Sequence, residues 1–257
     1  FDNCTMNNPT ISQTDFDCSE TGIQSIDFTI TDPSGNSTTV PVNVIIKDVI
    51  DPVANGRSFE VFLDETGNFS ITPSDVENGS TDNCSINHTL SQLSISEFDC
   101  SMTGDNNVSF TVFDNSGNQN STTVIIKVTD NRAPILVLQD IAVELDANGA
   151  YDLNVNELVV TDSDNCINTT LTPASTAFDC SHIGAQTVEI TSTDDSGNQT
   201  ILSAQVTIED NTAPTAIIND NLEFQLDPSG NISITADQID NGSFDNCTMN
   251  NPTVSQT

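Results

Sequence analysis

The side chains best equipped for chemistry in this sequence are its carboxylates and its cysteines. Asp and Glu total 38 against 4 Lys and Arg, a formal net charge of −34. Aspartate opens D-N-C triplets at Asp82, Asp164 and Asp245, with Asp162 two positions before Asp164. It opens D-x-S-G-N segments at Asp32, Asp114 and Asp194, and it lies ahead of proline at Asp48, Asp51, Asp130 and Asp210. Converging carboxylates are the hard oxygen ligands of Ca²⁺, which takes six to eight of them; Mg²⁺ retains its water and demands stricter geometry. Self-repulsion at this charge opposes compaction unless counter-cations bind. The competing use of Asp, Asn, Ser and Gly is to make turns.

The 7 cysteines keep a fixed phase. Each D-N-C cysteine is followed by one in an F-D-C triplet, giving Cys4 and Cys18, Cys84 and Cys100, Cys166 and Cys180, while Cys247 has no follower. Periodic, paired cysteines in small acidic units read as disulfides made outside the cytosol. The pairing expected is Cys4–Cys18, Cys84–Cys100 and Cys166–Cys180, each within one unit. Zinc is the weaker reading, because there is no C-x-x-C pair and His88 and His182 fall at unrelated phases, as surface residues do. Catalysis finds no support. No Ser/His/Asp or Cys/His set recurs, no Gly-rich phosphate loop follows a strand, and no pair of carboxylates stands apart as acid and base.

The phase comes from an internal repeat. FDNCTMNNPTISQT at 1–14 returns at 244–257 with one change, Ile11 against Val254, at an offset of 243 residues. Cys4, Cys84, Cys166 and Cys247 are spaced by 80, 82 and 81 residues. Repeats of about 81 residues therefore divide the chain. The expected boundaries are 1–50 for the C-terminal part of a first repeat, 51–132 and 133–212 for a second and third, and 213–257 for the N-terminal part of a fourth. Near-identity at 243 residues implies that a three-repeat unit itself recurs, so DFDCSETG is expected to follow Thr257. Targeting signals, if any, are expected outside this window.

The elements that must position these side chains are short strands. In the second repeat, RSFEVFL at 57–63 and NFSIT at 68–72 flank a turn at Asp64. VSFTVF at 108–113 turns at Asp114–Asn118 and returns as TTVIIKV at 122–128. Strands broken by turn residues at such intervals predict an all-β sandwich, with no long amphipathic helix. Units this small bury a modest core and often need staples. Proline in each linker stiffens the junctions. Four basic residues assemble no phosphate-neutralising patch, so nucleic acid and anionic membrane surfaces are excluded as partners, and no segment reads as inserting into a membrane.

The ordered set D-N-C, F-D-C-x-x-x-G, V-x-F-T-V-x-D-x-S-G-N and V-x-D-N-x-A-P resembles the HYR-like, immunoglobulin-like tandem repeats of giant Bacteroidetes cell-surface adhesins, including SprB-type gliding adhesins. The resemblance covers the whole chain. It implies a β-sandwich, export to the cell surface and a role in long adhesive or motility filaments. The linkers at Asp48, Asp130 and Asp210 also resemble those of cadherins, with acidic residues ahead of proline. The first linker departs from that pattern, having Val49–Ile50 where the others have Asn–Arg or Asn–Thr.

In an immunoglobulin-like sandwich the B–C and F–G loops lie at the end where the chain arrives. The D-N-C segment as B–C loop and D-x-S-G-N as F–G loop then bring Asp82 and Asp114 towards Asp48 and Asp51. They bring Asp162, Asp164 and Asp194 towards Asp130, and Asp210 and Asp245 are also expected among the metal ligands. Calcium is expected at these junctions, holding a string of elongated domains stiff, each about 35–40 Å long. The function expected is a rigid structural stalk in a secreted filament, its partners being neighbouring repeats of the same chain. The alternative is a module gripping a surface glycan or protein through its loops, or a ligand outside this segment. Glycan sites usually rest on exposed aromatics, and Trp is absent while Tyr occurs once, which favours the stalk.

Overall fold

Val, Ile, Thr and Phe alternate with polar residues over the longest runs, and alternation places one face of each strand inward. The computed structural model describes residues 7–249 and 252–255. Cys4 lies outside them. The chain forms two compact units, Phe1–Asp130 and Asn131–Thr257.

The first unit opens with β1 (Thr10–Ile11), β2 (Gly22–Thr31) and β3 (Ser37–Ile46), an antiparallel sheet in that order. The second repeat adds β4 (Phe59–Phe62), β5 (Asn68–Ser70), β6 (Gln92–Leu93), β7 (Glu97–Asp99), β8 (Gly104–Phe113) and β9 (Gln119–Thr129). One sheet runs β4-β9-β8-β6, with β4 parallel to β9, and β5 pairs antiparallel with β7 in another. Val108, Phe110 and Val112 of β8 and Val124, Ile126 and Val128 of β9 are buried. Val61, Leu63, Ile71, Val76 and Phe98 are the other buried apolar residues of the repeat.

The second unit repeats this plan with β10 (Ile135–Leu138), β11 (Ile141–Glu144), β12 (Ala150–Asp152), β13 (Val159–Ser163), β14 (Thr169–Pro173), β15 (Ala177–Asp179), β16 (Gly184–Asp194) and β17 (Gln199–Glu209). Its large sheet is β11-β17-β16-β14, faced by the pairs β10-β13 and β12-β15. Leu136, Leu153 and Phe178 from the pair side pack with Val188, Ile190, Val206 and Ile208 of the large sheet in one core. The fold is thus an all-β, immunoglobulin-type sandwich. The fourth repeat contributes a helical turn, Ala236–Ile239, and isolated bridges at Thr215–Phe244 and Ile218–Asp240.

The turn at Asp64 does not make the hairpin that its flanking runs suggest. β4 joins β9 while β5 joins β7, so the chain changes sheets there. The turn at Asp114 does close a hairpin, with Phe113 opposite Gln119.

The expected pairing of cysteines within repeats is overturned. Cys18 is bonded to Cys84 and Cys180 to Cys247, with Cα–Cα distances of 5.3 and 5.5 Å. Cys100 and Cys166 also lie in disulfides. The cause is topological. Cys84 sits beside Ile86, which bridges to Asp114 at one end of the β8–β9 hairpin. Cys100 opens the turn into Gly104, which pairs with Val128 at the other end. The 10 residues of β8 separate them by about 30 Å, far beyond the Cα–Cα span of roughly 4.4–6.8 Å that a disulfide tolerates. In both of these bonds a D-N-C cysteine meets the F-D-C cysteine of the repeat before it, Cys84 with Cys18 and Cys247 with Cys180.

The second unit shows how tightly this join fits. Asn246 donates from Nδ2 to the Asp146 carbonyl at 3.1 Å. Gly149 there has φ +72°, and a Cβ on it would lie 2.5 Å from the Asn246 carbonyl oxygen and 2.6 Å from Cys180 Sγ. Only glycine tolerates both the left-handed backbone and the close approach.

Candidate metal centre

Three loops meet where the first and second repeats join. The turn between β8 and β9 contributes Asp114, which is only 1% exposed. Its Oδ1 accepts the N–H groups of Ser116 and Asn118 at 2.9 and 2.8 Å, and its Oδ2 accepts Asn118 Nδ2 at 2.6 Å. Burial works to raise its pKa, but the hydrogen bonds from the Asn118 side chain and backbone outweigh it and hold the carboxyl below the usual range. The residue is therefore an anion near neutral pH. Asn118 Nδ2 also donates to the Asp48 carbonyl at 3.2 Å, tying the turn to the linker.

The linker contributes Asp48. Its Oδ1 accepts the Ile50 N–H and Asn83 Nδ2, both at 3.2 Å, while its Oδ2 is buried without a hydrogen-bond partner. The D-N-C loop contributes Asp82, whose Oδ2 accepts the Cys84 N–H at 2.8 Å and whose Oδ1 is likewise buried without a partner. Ser85 follows at φ +99°, and Asn115 Nδ2 donates to its hydroxyl at 2.9 Å, holding this loop against the turn.

Asp48, Asp82 and Asp114 each present a carboxylate oxygen, and these oxygens lie within 4.8 Å of one another. Three anions at that spacing repel, and an orphaned buried carboxylate oxygen is costly. A divalent cation answers both demands. Twice a Ca–O bond of roughly 2.3–2.6 Å is about 4.6–5.2 Å, so oxygens this close fit on one calcium coordination sphere. Backbone carbonyls and water would complete the ligand set.

Asp51, expected with this group, is exposed and lies outside it. Asp162 is not a free ligand: its Oδ1 accepts the Ser192 hydroxyl and its Oδ2 the Thr169 hydroxyl, both at 2.6 Å. Ser192 is fully buried on β16, so Asp162 serves the interior of the sandwich. Asp164 and Asp194 repeat the local geometry of Asp82 and Asp114. Asp164 accepts the Cys166 N–H, and Asp194 accepts the N–H and Nδ2 of Asn198, all at 2.8 Å. Asp130 is buried at the end of the first unit. Asp245 keeps a buried, unpartnered Oδ1 and accepts the Cys247 N–H at 3.3 Å; Asp210 accepts the Thr212 N–H at 3.2 Å. Among the described residues, Asp210 and Asp245 are not gathered into a three-carboxylate group.

The sequence reading missed the asparagines. Asn83 and Asn118 fasten the Asp48 linker to the two loops. Their signal was present, because asparagine recurs with the aspartates at Asn83, Asn165 and Asn246, and at Asn36, Asn118 and Asn198.

No protein-family model matches the chain. An uncharacterized 81.3 kDa protein of Acholeplasma phage L2 is 26% identical over 231 residues, which cover 83% of this chain but only 29% of that relative. Among solved structures, the chain is similar to a protocadherin gamma B7 EC3–6 structure at 16% identity, covering 87% of this chain and 66% of the other, with a TM-score of 0.33. It is similar to Drosophila N-cadherin EC1–4 at 12% identity, covering 73% of this chain and 57% of the other, with the same TM-score of 0.33.

Proposed function

We propose that this chain is a structural segment of an extracellular adhesive protein, in which sandwich repeats are joined at calcium-binding junctions. The observation that carries the reading is the meeting of Asp48, Asp82 and Asp114 at the join between two repeats, with unpartnered buried oxygens on Asp48 and Asp82. Calcium there fixes the linker against both loops and limits how the repeats pivot, which is what a stiff stalk requires. Disulfides between repeats support an oxidising, extracellular setting. The ordered motifs support membership among HYR-like adhesin repeats and service in attachment or gliding. The segment itself is read as non-catalytic, its partners being neighbouring repeats.

The test is thermal unfolding with calcium and then with chelator. Calcium at 100 times its dissociation constant should add about 2.7 kcal/mol to the unfolding free energy of the junction it occupies, raising its Tm. A Tm indifferent to calcium and chelator would remove the cation from the account.

A further inference from the structure

The bridges between repeats also decide how this chain answers a pull. Cys18 precedes β2, and Cys84 follows the linker, β4, β5 and Asp82, so the bond closes a segment with a sequence separation of 66. Inside it lie the whole β2–β3 hairpin, the Asp48 linker and the first strands of the next repeat. The Cys180–Cys247 bond closes a segment with a separation of 67, containing β16, β17, Asp210 and Asp245. Tension applied to the ends of a chain follows covalent bonds. Where a disulfide short-circuits the backbone, everything inside its loop leaves the load path.

We infer that the chain's further function is to bear tension with capped extension, the load crossing each bridged junction through sulfur rather than through the linker. The linker carrying Asp48 sits within the first loop, so a pull cannot straighten it while the bond holds. The β2–β3 and β16–β17 hairpins cannot pay out their lengths either. Fully extended backbone spans at most roughly 3.3–3.6 Å per residue, so each bridge withholds about 220–240 Å of chain. The inference goes beyond the calcium reading and stands whether or not a cation binds. Labour divides accordingly: sulfur carries tension along the junction, and the loops and their ligand set its bending.

Magnetic tweezers on the full chain, attached by its two ends and held above its unfolding force, measure this directly. The oxidised Cys18→Ser/Cys84→Ser protein should be longer than the unsubstituted protein by about 220–240 Å. Adding a phosphine reductant to the unsubstituted chain under constant load should give discrete lengthening steps, with steps of that size for these two bridges. This second reading starts from the native protein and does not depend on how the variant folds. Steps of about 50–60 Å, the slack locked by a Cys84–Cys100 type of pairing, would overturn the inference, as would no lengthening at all.

Discussion

Asp99 shows how one side chain sets a cysteine in place. Its Oδ1 accepts the Ser101 N–H at 2.9 Å and the Ser101 hydroxyl at 2.6 Å, capping the short 3-10 turn that presents Cys100. Asp17 and Asp179 cap the turns at Cys18 and Cys180 in the same way. The Ser101 hydroxyl and then its N–H lower the Asp99 pKa below its ordinary 3.8. A carboxylate with a depressed folded pKa contributes stability that is present above the unfolded value and lost as pH falls through the folded one. Stability should therefore fall as pH drops below about 3.8, and Asp99→Asn, which lacks this contribution at every pH, should flatten that fall by starting from a lower stability at pH 7. Urea midpoints at stepped pH check it; equal slopes would show that the cap does not titrate with folding. At this scale the sequence was partly readable. D-N-C and D-x-S-G-N marked Asp82 and Asp114, because a recurring carboxylate at a recurring turn needs a reason beyond the turn. It misplaced Asp162, because the residue that engages it, Ser192, takes a position held by Val112 in the repeat before. That substitution is visible only when the repeats are laid on one another strand by strand.

Strands show where local signals suffice and where they fail. The alternation in β8 and β16 is enough to pick out Val108, Phe110, Val188 and Ile190 as inward residues, all buried here. Turn chemistry at Asp64 announces a reversal, yet nothing local says that β4 will run parallel to β9, with Phe59 opposite Ile126. Such pairing is decided by packing across the whole repeat rather than by the turn. Nor does a matching place in the repeat settle burial by itself. Phe28 on β2 is 37% exposed, whereas Phe110, at the matching place on β8, is fully buried. Ile190→Ala should cost the third repeat about 2–5 kcal/mol, combining lost transfer energy with the cavity left behind. Tyr151 is the one tyrosine and there is no tryptophan, so its fluorescence during urea unfolding reports on the repeat containing Ile190. A loss below about 1 kcal/mol would mean that the site collapses freely and the core is looser than its burial implies.

For the molecule as a whole, the repeat period was legible and the bridging was not. Pairing a D-N-C cysteine with the F-D-C cysteine after it, or with the one before it, generates the same periodicity, so spacing alone could not choose. The length of β8 chooses, by keeping Cys84 and Cys100 at opposite ends of one sandwich. Each loop now closed contributes about 4 kcal/mol in the chain-entropy account, a large share of what so small a core supplies. That scale of stapling suits an acidic chain whose Asp48, Asp82 and Asp114 gather at the join of two repeats. The central claim is that Asp48, Asp82 and Asp114 hold one calcium ion between them. Isothermal titration calorimetry of calcium into the oxidised chain at neutral pH tests it most directly, comparing the unsubstituted protein with Asp82→Asn. Asparagine keeps an acceptor for the Cys84 N–H while removing the charge. The account predicts that the variant binds one calcium fewer, with its other sites and its disulfides unchanged; an identical stoichiometry and affinity in the two proteins would contradict it.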